Sequence, residues 1–246
     1  MVRSECQRSI QYGDARIALT VSFAPIAVNR VAISVLPDGQ VEVLAPEGTS
    51  LEEVMQAVRK RLRWIWQRLE AGHERRVHVL PREYVSGESH LYLGRRHLLK
   101  VHAAYGARGG VKMLRGRLDV VVPEGKPEAV KALLDAWYRQ RASEVFSRRL
   151  QHCVDQARWL KKPPALRLLK MKTQWGSCSP KGELILNPLL VKAPSTCIDY
   201  VLSHELCHLR EHNHSERFYR LLSGMVPDWQ ARKRELDDMA EAILNV

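Results

Sequence analysis

The chain has 246 residues, of which 45% are hydrophobic and 27% charged, and Lys and Arg outnumber Asp and Glu by 39 to 27 for a net charge of +12. That length supports one large or two small domains with a full core, and the composition is that of a soluble globular protein. No apolar run reaches the ~18 residues of a membrane span, no signal peptide is visible, and the five cysteines are too scattered for a disulfide framework, so a cytoplasmic protein is expected.

The first half reads as β-rich. Alternation over Arg16–Phe23 predicts a half-buried strand, and Val31–Leu36, Pro37-Asp38-Gly39 and Gln40–Leu44 predict a hairpin. Ser50-Leu51-Glu52-Glu53 is a capping box opening a helix to about Ala71, with Val54, Val58, Leu62, Ile65 and Leu69 on its apolar stripe. Residues 72–87 read as a loop. Two more hairpins are expected around Gly94-Arg95-Arg96 and Arg115-Gly116-Arg117, ending at Pro123-Glu124-Gly125. No internal repeat is evident along the chain.

The second half is more helical. A long helix is expected from Pro127 to about Leu160, stopped by Lys161-Lys162-Pro163-Pro164. Leu166, Leu168 and Met171 alternate as a strand, and Gln174–Ser179 and Glu183–Asn187 form the arms of a hairpin about Pro180-Lys181-Gly182. A helix capped by Ser195 or Thr196 follows Pro194, then a short helix through Leu222 and a last one begun at Pro227. The expected class is α+β, with a β-rich region over 1–125 and a minimal zincin-like core of long helix, small sheet and metal helix over 126–246.

The stretch that carries chemistry is His204-Glu205-Leu206-Cys207-His208. In a helix, positions 204 and 208 lie one turn apart on one face, so two imidazoles converge on one ion. Glu205 stands about 100° around from His204, where its carboxylate serves a metal-activated water without ligating the metal. Catalytic zinc takes three protein ligands and keeps one position open. His212 on an unbroken helix would lie about 12 Å along the axis from His204, too far for Zn–N bonds of about 2.1 Å. His214 reaches the ion only if the chain turns back, and Asn213 tolerates the left-handed backbone of such a turn. His214 is the choice for third ligand and Glu216 the alternative, a carboxylate being an accepted zinc ligand. Cys178 and Cys207 flank the site and read as buried free thiols.

Thr173-Gln174-Trp175-Gly176-Ser177-Cys178-Ser179, Gly182, Leu186-Asn187, Ala193-Pro194, Asp199-Tyr200-Val201, the HELCHL run, Asn213-His214-Ser215 and Phe218 together resemble the YgjP-like zinc metallopeptidases, which are more distantly similar to SprT-type peptidases. The resemblance spans nearly the whole chain. It implies a zinc (Zn2+) peptidase acting on a peptide or protein substrate, with His204, His208 and His214 in the ligand positions and Glu205 in the catalytic one. Gln174 and Tyr219 depart from the pattern, at positions that bear on substrate contacts rather than on the metal. The resemblance also makes the Trp175–Cys178 or the Glu183–Asn187 arm the candidate to pair with an extended substrate.

The alternative function is a nucleic-acid-associated or protein-binding module with a structural metal. Structural zinc is closed by four protein ligands and is rich in Cys, whereas here an acid follows the first His and no fourth ligand is evident. The net charge favours weak, salt-dependent association with polyanions such as DNA. No helix-turn-helix, finger or RNA-recognition signature supports sequence-specific binding.

Overall fold

A computed structural model describes residues 4–13, 15–24, 30–36, 39–76, 82–123, 126–157, 159–171 and 174–245, with the backbone alone for 4 and 71–76. Helices and strands are mixed along the chain, as the α+β expectation required. Two compact units are present, Met1–Leu80 and Pro81–Val246. The division falls at 80/81 rather than at the expected 125/126, because the second four-stranded sheet shares a core with the helices that follow it.

The first unit holds β1 (Ser4–Tyr12), β2 (Ala15–Ala24), β3 (Ala32–Val35) and β4 (Val41–Pro46) in the order β1-β2-β4-β3. Strand β2 runs antiparallel to β1 and parallel to β4, and β3 closes the edge antiparallel to β4. β1 has no counterpart in the sequence reading. Its inward positions carry only Cys6, Ile10 and Tyr12, with Arg8 between them, too few apolar residues to mark a strand by alternation. The tip of the β3–β4 hairpin at Pro37-Asp38 lies outside the described residues.

Ser50 caps α1 (Leu51–Lys60) in the expected capping box, accepting from the Glu53 amide while the Glu53 carboxylate accepts from the Ser50 amide. The helix is interrupted at Arg61 and resumes as α2 (Leu62–Arg76), so residues 72–76 are helical rather than loop. Val54, Val58 and Ile65 from the predicted stripe are fully buried against Leu19, Val21 and Val43 of the sheet.

The second unit opens with β5 (Ser89–Tyr92), β6 (Arg95–Ala103), β7 (Gly110–Leu114) and β8 (Arg117–Val122). Their order, β5-β6-β8-β7, and their sense of pairing repeat those of the first sheet. Both parallel pairs are followed by Pro-Glu-Gly, at 46–48 and 123–125, and then by a helix. A repeated ββββα unit is therefore present that the sequence reading did not find, because few residue identities survive between the copies. Both expected hairpins close with two-residue turns, Leu93-Gly94 and Arg115-Gly116, in which both residues have positive φ as a type I′ turn requires. At Gly94 a Cβ would also lie 2.8 Å from the Pro194 ring.

α3 (Pro127–Gln156) is the spine of the second unit, burying Val130, Leu134, Trp137, Phe146, Leu150 and Val154. It ends four residues before the predicted stop, with the Ala157 amide donating to Cys153 and Val154 carbonyls. A second, smaller sheet joins β9 (Leu166–Leu168), β10 (Gly176–Cys178) and β11 (Leu184–Leu186) in the order β10-β11-β9. A 3-10 helix at Pro188–Lys192, capped by Asn187, leads into α4 (Ser195–Cys207), followed by α5 (Glu216–Met225) and α6 (Trp229–Leu244). α4 begins with Pro194 at its cap and no side-chain bond, so neither Ser195 nor Thr196 caps it.

Candidate metal centre

α4 is apolar nearly all round, as a helix at the centre of a unit must be. Ile198, Leu202 and Leu206 are fully buried. Asp199 is one exception, and Arg149 of α3 meets it with two parallel hydrogen bonds: Nε donates to Oδ1 at 2.6 Å and a terminal nitrogen donates to Oδ2. This fork-to-fork pair ties the metal helix to the spine. The carboxylate raises the guanidinium pKa further still, since the ion pair favours its charged form.

At the end of α4 the predicted turn of chain is present. Amides of Leu209, Arg210 and Glu211 donate back to carbonyls of Leu206 and Cys207, and the Ser215 amide donates to Asn213. No residue of this turn has positive φ, so the return is made without the left-handed Asn213 expected. Ser215 then caps α5 by accepting from the Phe218 amide.

The turn brings His214 onto His204, with their Nε2 atoms 3.0 Å apart. One ligand atom each from His204, His208 and His214 lie within 4.8 Å of one another. Phe218, fully buried, lies against all three, its ring centre 4.7 to 4.9 Å from theirs. His208 turns Nδ1 to the Glu211 carbonyl at 3.1 Å, so a proton on that nitrogen leaves Nε2 with a free lone pair. Burial first, then the neighbouring rings and Lys233, brings the His204 pKa down to about 4, and burial also lowers that of His208. Neutral imidazoles with facing lone pairs are what a divalent cation requires. His204 Nδ1 is buried without a partner among the described residues. The donor set fits zinc: three ring nitrogens and, among the described residues, no fourth protein ligand in the cluster.

The other candidate ligands stand elsewhere. His212 lines the same cavity but stands outside the cluster. Glu216 is exposed at the start of α5 and borders a different cavity with Arg217 and Arg220. Cys207 is fully buried, and burial aided by Glu205 pushes its thiol up to about 12. Cys178 lines the cavity half-buried, its thiol raised by burial and then by Glu205.

Glu205 borders the cavity although it is only 6% exposed, and burial alone lifts its pKa to about 7. Its carboxylate lies against Gly176 of β10. A Cβ there would come 2.8 Å from Glu205 Cγ and 2.9 Å from Oε1, so only glycine admits the acid so close to the strand. The cavity, about 710 Å³, runs between the Trp175–Pro180 segment on one side and Tyr200, Val201 and the histidines on the other. Of the two arms proposed to meet substrate, β11 is paired on both sides and β10 forms the edge. The Glu183–Asn187 arm is therefore excluded.

A family model described as a YgjP-like metallopeptidase domain matches residues 29–239. The chain belongs to that family. No protein of curated function matches this YgjP-like metallopeptidase. Among solved structures, the metallopeptidase zymogen of Pyrococcus abyssi abylysin is similar at 25% identity. That match covers 39% of this chain and 93% of abylysin, with a TM-score of 0.35. Sequence reasoning did not find the Arg149–Asp199 brace or the role of Gly176. An acid inside an apolar helix was the available signal for the first, since a buried carboxylate needs a partner. Nothing local signals the second.

Proposed function

We propose that this YgjP-like metallopeptidase is a zinc-dependent endopeptidase in which His204, His208 and His214 hold the ion and Glu205 is the general base. The observation that carries the reading is the convergence of three imidazoles beside one buried carboxylate, all on one open cavity. Zinc, when bound, polarises a carbonyl and brings the pKa of a water to near 7. Glu205 accepts that water's proton on its carboxylate and hands it to the leaving amine. Burial holds the carboxylate near the pKa at which it can do both. His208 is kept in register by the Glu211 carbonyl, and Phe218 fixes the planes of all three rings.

The free edge of β10 supports an extended substrate. At the two ends of β11 the Asn187 amide donates to the Trp175 carbonyl and the Ser179 amide donates to the Glu183 carbonyl, so by antiparallel alternation the groups of Gly176 and Cys178 turn to the open side. A peptide laid along them passes Glu205 and the histidines without needing a terminus there, which favours internal cleavage.

Elemental analysis of the purified protein should find about one zinc per chain, lost in His204→Ala, His208→Ala and His214→Ala and kept in His212→Ala. Glu205→Gln should keep its zinc and lose about 10²–10⁴-fold in peptidase rate on an unfolded protein substrate. An active Glu205→Gln protein overturns the mechanism, and full zinc in His214→Ala overturns the ligand set.

A further inference from the structure

The two four-stranded sheets share strand order and register, yet their outward faces differ. In the first, the row crossing β2, β4 and β3 is Thr20, Glu42 and Ser34. The equivalent row across β6, β8 and β7 is Lys100, Asp119 and Lys112. The next row of the second sheet is Leu98, Arg117 and Leu114, and Arg96 and His102 continue the same side of β6. Arg96, Lys100, Lys112 and Arg117 are all exposed.

Asp119 is the one acid on these strands, and it is occupied from both sides, by His102 at 3.3 Å and Arg117 at 3.9 Å. Arg96, Lys100 and Lys112 make no ion pair among the described residues. The fold does not require three of these charges, because Thr20, Ser34 and Gln40 of the first sheet stand where Lys100, Lys112 and Arg117 do, and only Arg96 has a cationic counterpart, Arg16. The excess is therefore a property of this one face, on a chain whose net charge of +12 already draws polyanions.

We infer that the outward face of β6, β8 and β7 is a docking surface for the phosphate backbone of nucleic acid. Outward side chains recur every ~7 Å along a strand and ~4.8 Å between strands, so the four cations form a grid that meets several phosphates at once. No Phe, Tyr or Trp stands on the face, so bases find nothing to stack on and binding is indifferent to sequence. Leu98 and Leu114 are separated by Arg117, which leaves two isolated side chains rather than the continuous apolar face that insertion into a lipid surface needs.

The test is fluorescence anisotropy of the full chain with a labelled duplex of about 24 base pairs in about 50 and about 200 mM salt. Four phosphate contacts predict a log–log salt slope of about −3.6, hence about 150-fold weaker binding across that range. Lys100→Thr with Lys112→Ser installs the side chains of the first sheet. It should lower the slope to about −1.8 and weaken binding at least about tenfold at low salt. Arg59→Gln with Arg63→Gln, which removes two exposed cations of the first unit, should change binding less than about twofold. Zinc content and thermal midpoint should be unchanged in both variants, so the outcome is independent of the peptidase reading. The inference is overturned if wild type does not bind DNA at low salt, or if the two double variants lose affinity equally. It is also overturned if anionic phospholipid vesicles, and not DNA, are what the Lys100/Lys112 variant ceases to bind.

Discussion

The two ββββα copies start from one plan and end in different roles. In the first, the inward face of the sheet is covered by two moderate helices, and among the described residues its cluster draws on its own strands, Val31 just before β3, and α1–α2. In the second, the equivalent face, with Leu99, Leu118, Val120 and Val122, packs on the 30-residue α3, whose other sides go on to bury the 3-10 helix and the metal helix. A sheet buries one stripe of a helix, so a longer helix leaves surface for further elements. All the residues of the proposed centre lie on what the second copy's helix supports. The proposed centre thus rests on elements seated by α3 and not on either four-stranded sheet.

Lesions placed on either side of this contrast should have unlike consequences, and the largest concerns the link from α3 to the metal helix. Arg149→Met removes the partner of Asp199 and leaves a largely buried carboxylate alone. The expected cost is about 3 kcal/mol, at the low end for a buried pair because the guanidinium is a quarter exposed. Urea unfolding followed by Trp fluorescence measures it. A cost below about 1 kcal/mol would mean that α4 holds its place by apolar packing alone.

Next in size is Gly176→Ala. The added methyl meets Glu205 and the fully buried Leu186 below 3.0 Å. Peptidase turnover should fall about tenfold or more, with zinc content unchanged, because displacing a catalytic group by about 1 Å costs on that order. Unaltered turnover would show that Glu205 does not need its present place against β10.

A direct comparison uses Val43→Ala and Val120→Ala, equivalent positions in β4 and β8, both fully buried. Each should cost about 1–3 kcal/mol of local stability, as loss of buried methyl groups does. Only Val120→Ala should lower the temperature at which zinc is released, since only its core contains the metal helix. Equal effects on zinc release would dissolve the distinction between the copies.

Smallest per pH unit, though it accumulates over its window, is a pH dependence of the second unit. Lys192 is 4% exposed, donates to the Ile243 carbonyl at 3.0 Å, and has its pKa pushed down to about 7, first by burial and then by Arg82. Between about 7 and its ordinary value near 10.5, the unfolded chain holds a proton that the folded chain lacks. Stability should therefore rise with pH across that window, by up to about 1.4 kcal/mol per pH unit, and level off below it. In Lys192→Met that part of the slope should vanish in denaturation midpoints measured from pH 7 to 10. A slope that persists unchanged assigns it to other groups.

Much of the site was legible in the sequence because its chemistry is local. The i, i+4 spacing of His204 and His208 and the intervening acid are fixed by helix geometry, whatever the helix packs on. Hairpins, the capping box and the long helix were legible for the same reason, since turn residues and apolar periodicity act over a few residues. What the sequence by itself left open was decided by contacts between distant segments. Which of His212, His214 and Glu216 comes to lie beside His204 and His208 depended on a turn built from main-chain bonds, which any residues can make. The edge position of β10, the need for Gly176, and the bond from Arg149 to Asp199 each join residues far apart in the chain. The kinship of the two sheets lay in strand order and register, and these are set by main-chain pairing and burial, which many different side chains satisfy.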